Sequence, residues 1–165
     1  MRNLGFNHID LATKDMAATR TFYEDILGFP AVRADIIEFE AGARAEHVFF
    51  DCGGGQMIAF ATSDRMRADL DTGINKGLGL PPGVYHFAFE AGSLENLVAL
   101  KAALEAKGVA VRGPEDHEGW CHSIYFMDPN GLQLEYCWVS RELTADDAQA
   151  QVRFRVSREG RKLPA

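Results

Sequence analysis

Two stretches of this chain resemble each other, and that repetition restricts the fold more than any other feature. Residues 5–11, Gly-Phe-Asn-His-Ile-Asp-Leu, resemble residues 83–89, Gly-Val-Tyr-His-Phe-Ala-Phe, each a short apolar run with a histidine near its middle. Both read as strands. A repeat of this kind signals two copies of one supersecondary unit sharing a core, and 165 residues suffice for such a duplication in one domain.

The segment after each strand repeats as well. Apolar residues recur at helical spacing over 15–27, including Phe22, Tyr23, Ile26 and Leu27, and Gly28 stops the run. After the second strand, Ser93 is an N-cap, Leu94, Leu97, Val98, Leu100 and Leu104 form an apolar stripe, and Gly108 ends it. Strand-like segments come next, at 29–40, 47–51 and 56–61 in the first half and at 109–112, 121–127 and 132–139 in the second. The turns Cys52-Gly53-Gly54-Gly55 and Asp128-Pro129-Asn130-Gly131 separate the last two strands of each half. The unit is βαβββ, written twice: module 1 over about 5–61, a Gly- and Pro-containing linker over 62–82 and module 2 over about 83–139, together one α+β domain over 1–139. Residues 140–165 form a tail, with a short helix started near 143–150 and little fixed structure after it.

Charge and composition remove several functions. Seventeen basic against twenty-four acidic residues give −7, which repels a phosphate backbone, so no nucleic-acid partner is expected. The cations Arg153, Arg155, Arg158, Arg161 and Lys162 in the tail read as a solvated extension. No apolar run is long enough to span a membrane, and the amino terminus lacks the apolar stretch of a secretory signal. Three cysteines without C-x-x-C spacing argue against a disulfide framework and for a reducing, cytoplasmic setting.

Period-two alternation sorts the polar side chains. His8 and Asp10 share one face of the first strand, His86 and Glu90 one face of its counterpart, and Gln133, Glu135 and Cys137 one face of the last. Gln56 begins a face that is otherwise apolar, with Ile58 and Phe60. His8 precedes Gln56 by 48 residues and His86 precedes Glu135 by 49, so equivalent strands carry polar residues at near-equivalent places. If the halves pair about a pseudo-two-fold axis, His8, His86 and Glu135 converge, with Gln56 a further candidate. Two imidazoles and a carboxylate with open positions suit a catalytic divalent metal. A buried Glu135 without a cation would cost several kcal/mol, on the order of the penalty for an unpaired buried charge, and a metal offsets that cost. His47 reads as the start of a strand, His117 as part of the polar loop 115–119, and His122 has the wrong parity to share a face with Tyr125.

These residues resemble the vicinal oxygen chelate superfamily, which includes glyoxalase I, methylmalonyl-CoA epimerase, fosfomycin-resistance enzymes, extradiol ring-cleaving dioxygenases and bleomycin-sequestering proteins. The resemblance covers residues 5–139 and rests on Phe6-Asn7-His8-Ile9-Asp10-Leu11, Phe22-Tyr23-Glu24-Asp25-Ile26-Leu27-Gly28-Phe29, Tyr85-His86-Phe87-Ala88-Phe89 and the run Tyr125 to Glu135. It implies two βαβββ modules in an open, cup-shaped mixed β-barrel with helices outside. It also implies His8, His86 and Glu135 as ligands of a metal that chelates two neighbouring oxygens of a small-molecule substrate. A homodimer is implied by the same resemblance.

The stretch Gly113-Pro114-Glu115-Asp116-His117 and Tyr125, ten residues before Glu135, is similar to the extradiol dioxygenases, making His117 and Tyr125 catalytic candidates and Fe(II) or Mn(II) the favoured metal. The first half departs from that pattern, because Gln56 stands where a proton-shuttling histidine is expected, and a glutamine donates a hydrogen bond without titrating. A glyoxalase or epimerase type of isomerase or lyase, with Zn, Co or Ni, is the alternative; a glutamine ligand at that place fits the epimerase, with Glu38 and Glu40 as candidate bases. A metal-free small-molecule binding protein is the third reading.

Overall fold

The computed structural model describes residues 5–65, 83–149, 155–156 and 162–163, which fall into two compact units. The first holds the described residues through 65 together with the turn Asp128–Gly131; the second holds the remainder. Each carries one βαβββ module around a four-stranded mixed sheet, and the fold is α+β.

In the first unit, β1 (His8–Ala12) leads into α1 (Met16–Arg20), which continues as a wider π-type turn over Thr21–Ile26. Asp15 caps α1 by accepting from the Ala18 N–H at 2.9 Å. Then come β2 (Ala31–Glu38), β3 (Arg44–Gly53) and β4 (Gln56–Ser63), in the sheet order β1-β4-β3-β2 with β1 parallel to β4. One sheet face is apolar because Val48, Phe50, Ile58 and Phe60 lie directly opposite one another and all are buried. Tyr23 packs there, with ring centroids 4.8 Å from Phe60 and 5.4 Å from Phe50. Each such aromatic contributes about 1.5–3 kcal/mol through burial.

The turn Asp128–Gly131 is anchored in the same unit. The Tyr23 hydroxyl donates to Asp128 Oδ2 at 3.2 Å, and the buried Thr13 hydroxyl donates to Asn130 Oδ1 at 2.7 Å. The Asn130 amide in turn donates to Thr19 Oγ1 at 3.3 Å.

The second unit repeats the order with β5 (His86–Glu90), α2 (Leu94–Ala106), β6 (Arg112–His117), β7 (Cys121–Met127) and β8 (Gln133–Val139), arranged β5-β8-β7-β6. Ser93 caps α2 as expected, accepting from the Asn96 N–H at 3.0 Å. Leu97 and Leu104 of α2 are buried on the side of the sheet that carries Ile124, Phe126, Leu134 and Tyr136. His122 stacks on Trp138 on that side too, at 5.5 Å, which agrees with its parity.

Three local expectations are corrected. The strand expected at 109–112 runs instead from Arg112 to His117, so His117 ends a strand rather than sitting in a loop. The sequence Arg-Gly-Pro-Glu-Asp-His is tolerated because β6 is an edge strand, where proline and charge are compatible with one-sided pairing. The described part of 143–150 forms turns, not a helix, held by Arg141, whose guanidinium makes two bonds to Asp147 at 2.7 and 2.9 Å. Beyond it, where little fixed structure is expected, β9 (Arg155–Val156) and β10 (Lys162–Leu163) pair antiparallel. Linker residues 66–82 lie outside the described residues, as do tail residues Arg153, Arg158 and Arg161.

Candidate functional site

Strand register decides which side chains share a surface. In the second unit, Tyr125 lies opposite Glu135, Arg112 opposite Tyr125, His117 opposite Cys121, and His86 opposite Gln133. His86, Gln133, Glu135, Tyr125, Arg112 and His117 therefore occupy one face of one sheet.

His86 and Glu135 meet there, with Nε2 3.0 Å from Oε2. His86 Nδ1 donates to the Gly83 carbonyl at 2.8 Å, which directs Nε2 toward the carboxylate. The Glu135 hydrogen bond is the main influence holding the His86 imidazolium, so its pKa lies above the usual histidine value despite partial burial. For Glu135, burial is the largest single influence and pushes the carboxyl up. Hydrogen bonds from His86 and Ser123, with the charges of His86 and His117, outweigh it and keep the group below the usual range.

Beside this pair, the Tyr125 hydroxyl lies 2.7 Å from His117 Nε2. Burial, then the Glu135 charge, raises Tyr125 well above an ordinary phenol, so the hydroxyl is neutral and serves as a hydrogen-bond donor. The Arg112 guanidinium covers the Tyr125 ring at 4.4 Å and bonds Glu115 through Nη1. A cavity of about 680 Å³ adjoins Tyr125, lined also by Val111, Arg112, Glu115, Phe126, Met127 and Gln133.

In the first unit, His8 pairs in register with Met57 as His86 pairs with Gln133. Its Nδ1 donates to Asn7 Oδ1 at 2.9 Å, as His86 Nδ1 donates to the Gly83 carbonyl. Ala59, not Gln56, occupies the register position equivalent to Glu135, since Asp10 pairs with Ala59 where Ala88 pairs with Glu135. Gln56 lies on the opposite face of β4 from His8, beside the Gly53 turn. The expected convergence of Gln56 with His8 is thereby corrected: the first module needs 51 residues, not 48, to reach the equivalent place.

The face that carries His8 holds a residue that sequence reasoning passed over. His47 on β3 pairs with Ala61, two places from Ala59, and so faces the same way as His8 and Asp10. The small Ala59 and Ala61 let it reach across β4, where Nε2 lies 3.1 Å from Asp10 Oδ2 but without the alignment of a hydrogen bond. The Phe49 ring lies against both imidazoles, with centroids 4.3 Å from His47 and 5.5 Å from His8. The signal available in the sequence was parity: His47, Phe49 and Asp51 alternate with the apolar Val48 and Phe50.

Among the described residues, no three His, Cys, Asp or Glu are gathered closely enough to hold a metal ion; His86 and Glu135 are the expected ligands that meet. The donor set fits a divalent ion in kind, because Nε2 of His8 and His86 and the Glu135 carboxylate are imidazole and carboxylate donors. No described helix is long and apolar enough to cross a membrane.

A duplicated βαβββ unit with a histidine at the same register place in each copy, and a carboxylate on the last strand, defines the glyoxalase-type class of fold. The chain belongs to the Glyoxalase/Bleomycin resistance protein/Dioxygenase superfamily, whose defining pattern matches residues 5–136. Among solved structures, it is similar to an integron cassette protein from the mobile metagenome of the Halifax Harbour sewage outfall, at 26% identity and TM-score 0.59, covering 83% of this chain and 100% of that one. It is similar to lactoylglutathione lyase from Agrobacterium tumefaciens, at 24% identity and TM-score 0.57, covering 84% and 96%. A third is TnmS3, an antibiotic binding protein from Streptomyces sp. CB03234, at 20% identity and TM-score 0.56, covering 85% and 99%. No curated protein sequence matches the chain.

Proposed function

We propose that the protein is a metal-dependent enzyme acting on a small aromatic substrate with two neighbouring oxygens, and that its reaction is extradiol-type ring cleavage. The observation that carries this reading is the Tyr125–His117 pair at 2.7 Å, on the sheet face that carries Glu135 and His86. His86, Glu135 and His8 are the proposed metal ligands. Bound there, Fe(II) or Mn(II) would act as a Lewis acid toward two substrate oxygens and carry electrons to O2.

The chain's own residues supply the proton chemistry. Tyr125, held neutral, donates to His117 Nε2, accepts from a substrate hydroxyl and holds the ring in place. His117, at the end of β6, carries a proton to or from the reacting oxygens through Nε2. Ring cleavage also needs a group that accepts the proton of the catechol. Gln56 lacks the chemistry and faces the other way, which leaves that role to His117.

The test is oxygen uptake. Protein purified without oxygen and reconstituted with Fe(II) or Mn(II) is offered catechols in an oxygen electrode, beside a Glu135→Ala variant. The reading predicts about one metal per chain, lost in the variant, and O2 consumption with a ring-cleaved product. Zn, Co or Ni with no O2 uptake favours the isomerase or lyase alternative. Absence of bound metal in both proteins favours a binding protein of the kind that the similarity to TnmS3 suggests.

A further inference from the structure

The ring-cleavage reading leaves open what the substrate carries besides its two oxygens, and the cavity beyond Tyr125 bears on that question. Tyr125 is a wall of this cavity and lies opposite Glu135 in the strand register, so the cavity begins one side chain away from the proposed ligand. A ring whose oxygens lie toward His86 and Glu135 would direct a substituent past Tyr125 into it. About 680 Å³ is room for a substituent of several heavy atoms.

The walls say what kind of substituent. Ala110, Val111, Phe126 and Met127 present hydrocarbon and a thioether, and Gln133 is the one uncharged amide in the lining. The one cation, Arg112, is engaged twice: Nη1 bonds the Glu115 carboxylate, and the guanidinium plane rests on the Tyr125 ring. Both members of the ion pair are about one-quarter to one-third exposed, and Glu115 itself lines the cavity. A carboxylate entering here meets Glu115 as a like charge and finds the Arg112 charge already matched, so no cation is free to offset its lost hydration.

Resting on the ring-cleavage reading, we infer that this cavity is the substituent subsite, that it selects uncharged alkyl- or aryl-bearing catechols over catechols bearing a carboxylate, and that Glu115 sets the choice by neutralising Arg112. Glu115 is a specificity-determining residue in this account and touches none of the reacting atoms.

The experiment is calorimetric titration of the Mn(II)-loaded protein under argon, with catechol, 4-ethylcatechol and 3,4-dihydroxyphenylacetate as probes. The wild type is expected to bind 4-ethylcatechol about tenfold more tightly than the carboxylate, a difference equal to about 1.4 kcal/mol. Glu115→Gln frees the Arg112 charge and is expected to close most of that gap by tightening the carboxylate. Met127→Lys, at a half-exposed position in the lining, places a new cation in the cavity and is expected to shift the ratio the same way while leaving Glu115 in place. Equal binding of the two substituted catechols by wild type, or a ratio unmoved in both variants, overturns the subsite while leaving the ring-cleavage reading intact. Failure of all three probes to bind overturns that reading, and the subsite with it.

Discussion

Tyr23→Phe tests how the turn Asp128–Gly131 is held to the first unit. Tyr23 is fully buried, and its hydroxyl donates to Asp128 Oδ2 at 3.2 Å. The substitution keeps the ring against Phe50 and Phe60 and deletes the donor alone. Asp128 retains the Asn130 N–H on Oδ1 at 2.8 Å and the Asn130 amide on Oδ2 at 3.0 Å, so its carboxylate is not stripped of partners. The expected loss is therefore about 1–2 kcal/mol, within the range for one buried hydrogen bond whose acceptor remains partly satisfied. For a chain of this size that is a fall in Tm of about 2–8 °C. Tyr23→Ala, which also empties the space between two aromatic rings, should lose about 3–5 kcal/mol.

Urea denaturation reads both, with the slope m unchanged because the same surface is exposed on unfolding. The pH dependence adds a second check. Burial, reinforced by Asp128, raises the Tyr23 pKa well above its ordinary value. A group whose folded pKa is raised contributes its full stability below the unfolded pKa, about 10 for tyrosine, and loses it as pH rises toward the folded value. The difference between wild type and Tyr23→Phe should thus be constant from pH 7 to 9 and narrow above about 10, by up to about 1.4 kcal/mol per pH unit. A Tyr23→Phe loss below about 0.3 kcal/mol, or a gap that widens at alkaline pH, would refute the reasoning.

Other consequences are open to direct measurement. His117→Asn should lower turnover of a ring-cleaved catechol by about 10²-fold with metal content unchanged, since it removes a proton carrier and not a ligand. Gln56→Ala should leave kcat and kcat/KM within about threefold, since Gln56 lies on the opposite face of β4 from the one aligned with His8. Gly113→Ala should destabilise by about 2–4 kcal/mol in denaturation. Its φ of 100° suits glycine, and an added Cβ would lie 2.5 Å from the Ser123 carbonyl oxygen of β7.

Much of the architecture was legible because its signals are local. The repeated strand with its histidine, the N-cap at Ser93 and the stop at Gly108, and the parity that separates Glu135 from Tyr136 all act within a few residues. The pairing of Tyr125 with Glu135 on one face also comes from parity once the turn 128–131 is placed. The β6 strand was hidden because Gly113-Pro114 and three charged or titratable residues read as loop; only its one-sided pairing with β7 makes that sequence a strand.

By itself, the sequence determined the duplicated βαβββ unit, the polar and apolar faces within each strand, and the candidate ligands His8, His86 and Glu135. Tertiary structure alone decided which residues of different strands stand opposite each other. Counting 48 residues from His8 pointed to Gln56, but the hairpin between β3 and β4 carries a register shift between Asp51 and Gly53, and β1 aligns His8 with Met57. Side chains alternate with a period of two, so an odd displacement moves a residue to the other face: Gln56 leaves the His8 surface and His47 is found on it. Parity along a strand is a property of the chain; register between strands is set by turns, bulges and packing, and it is register that decides which side chains share a surface.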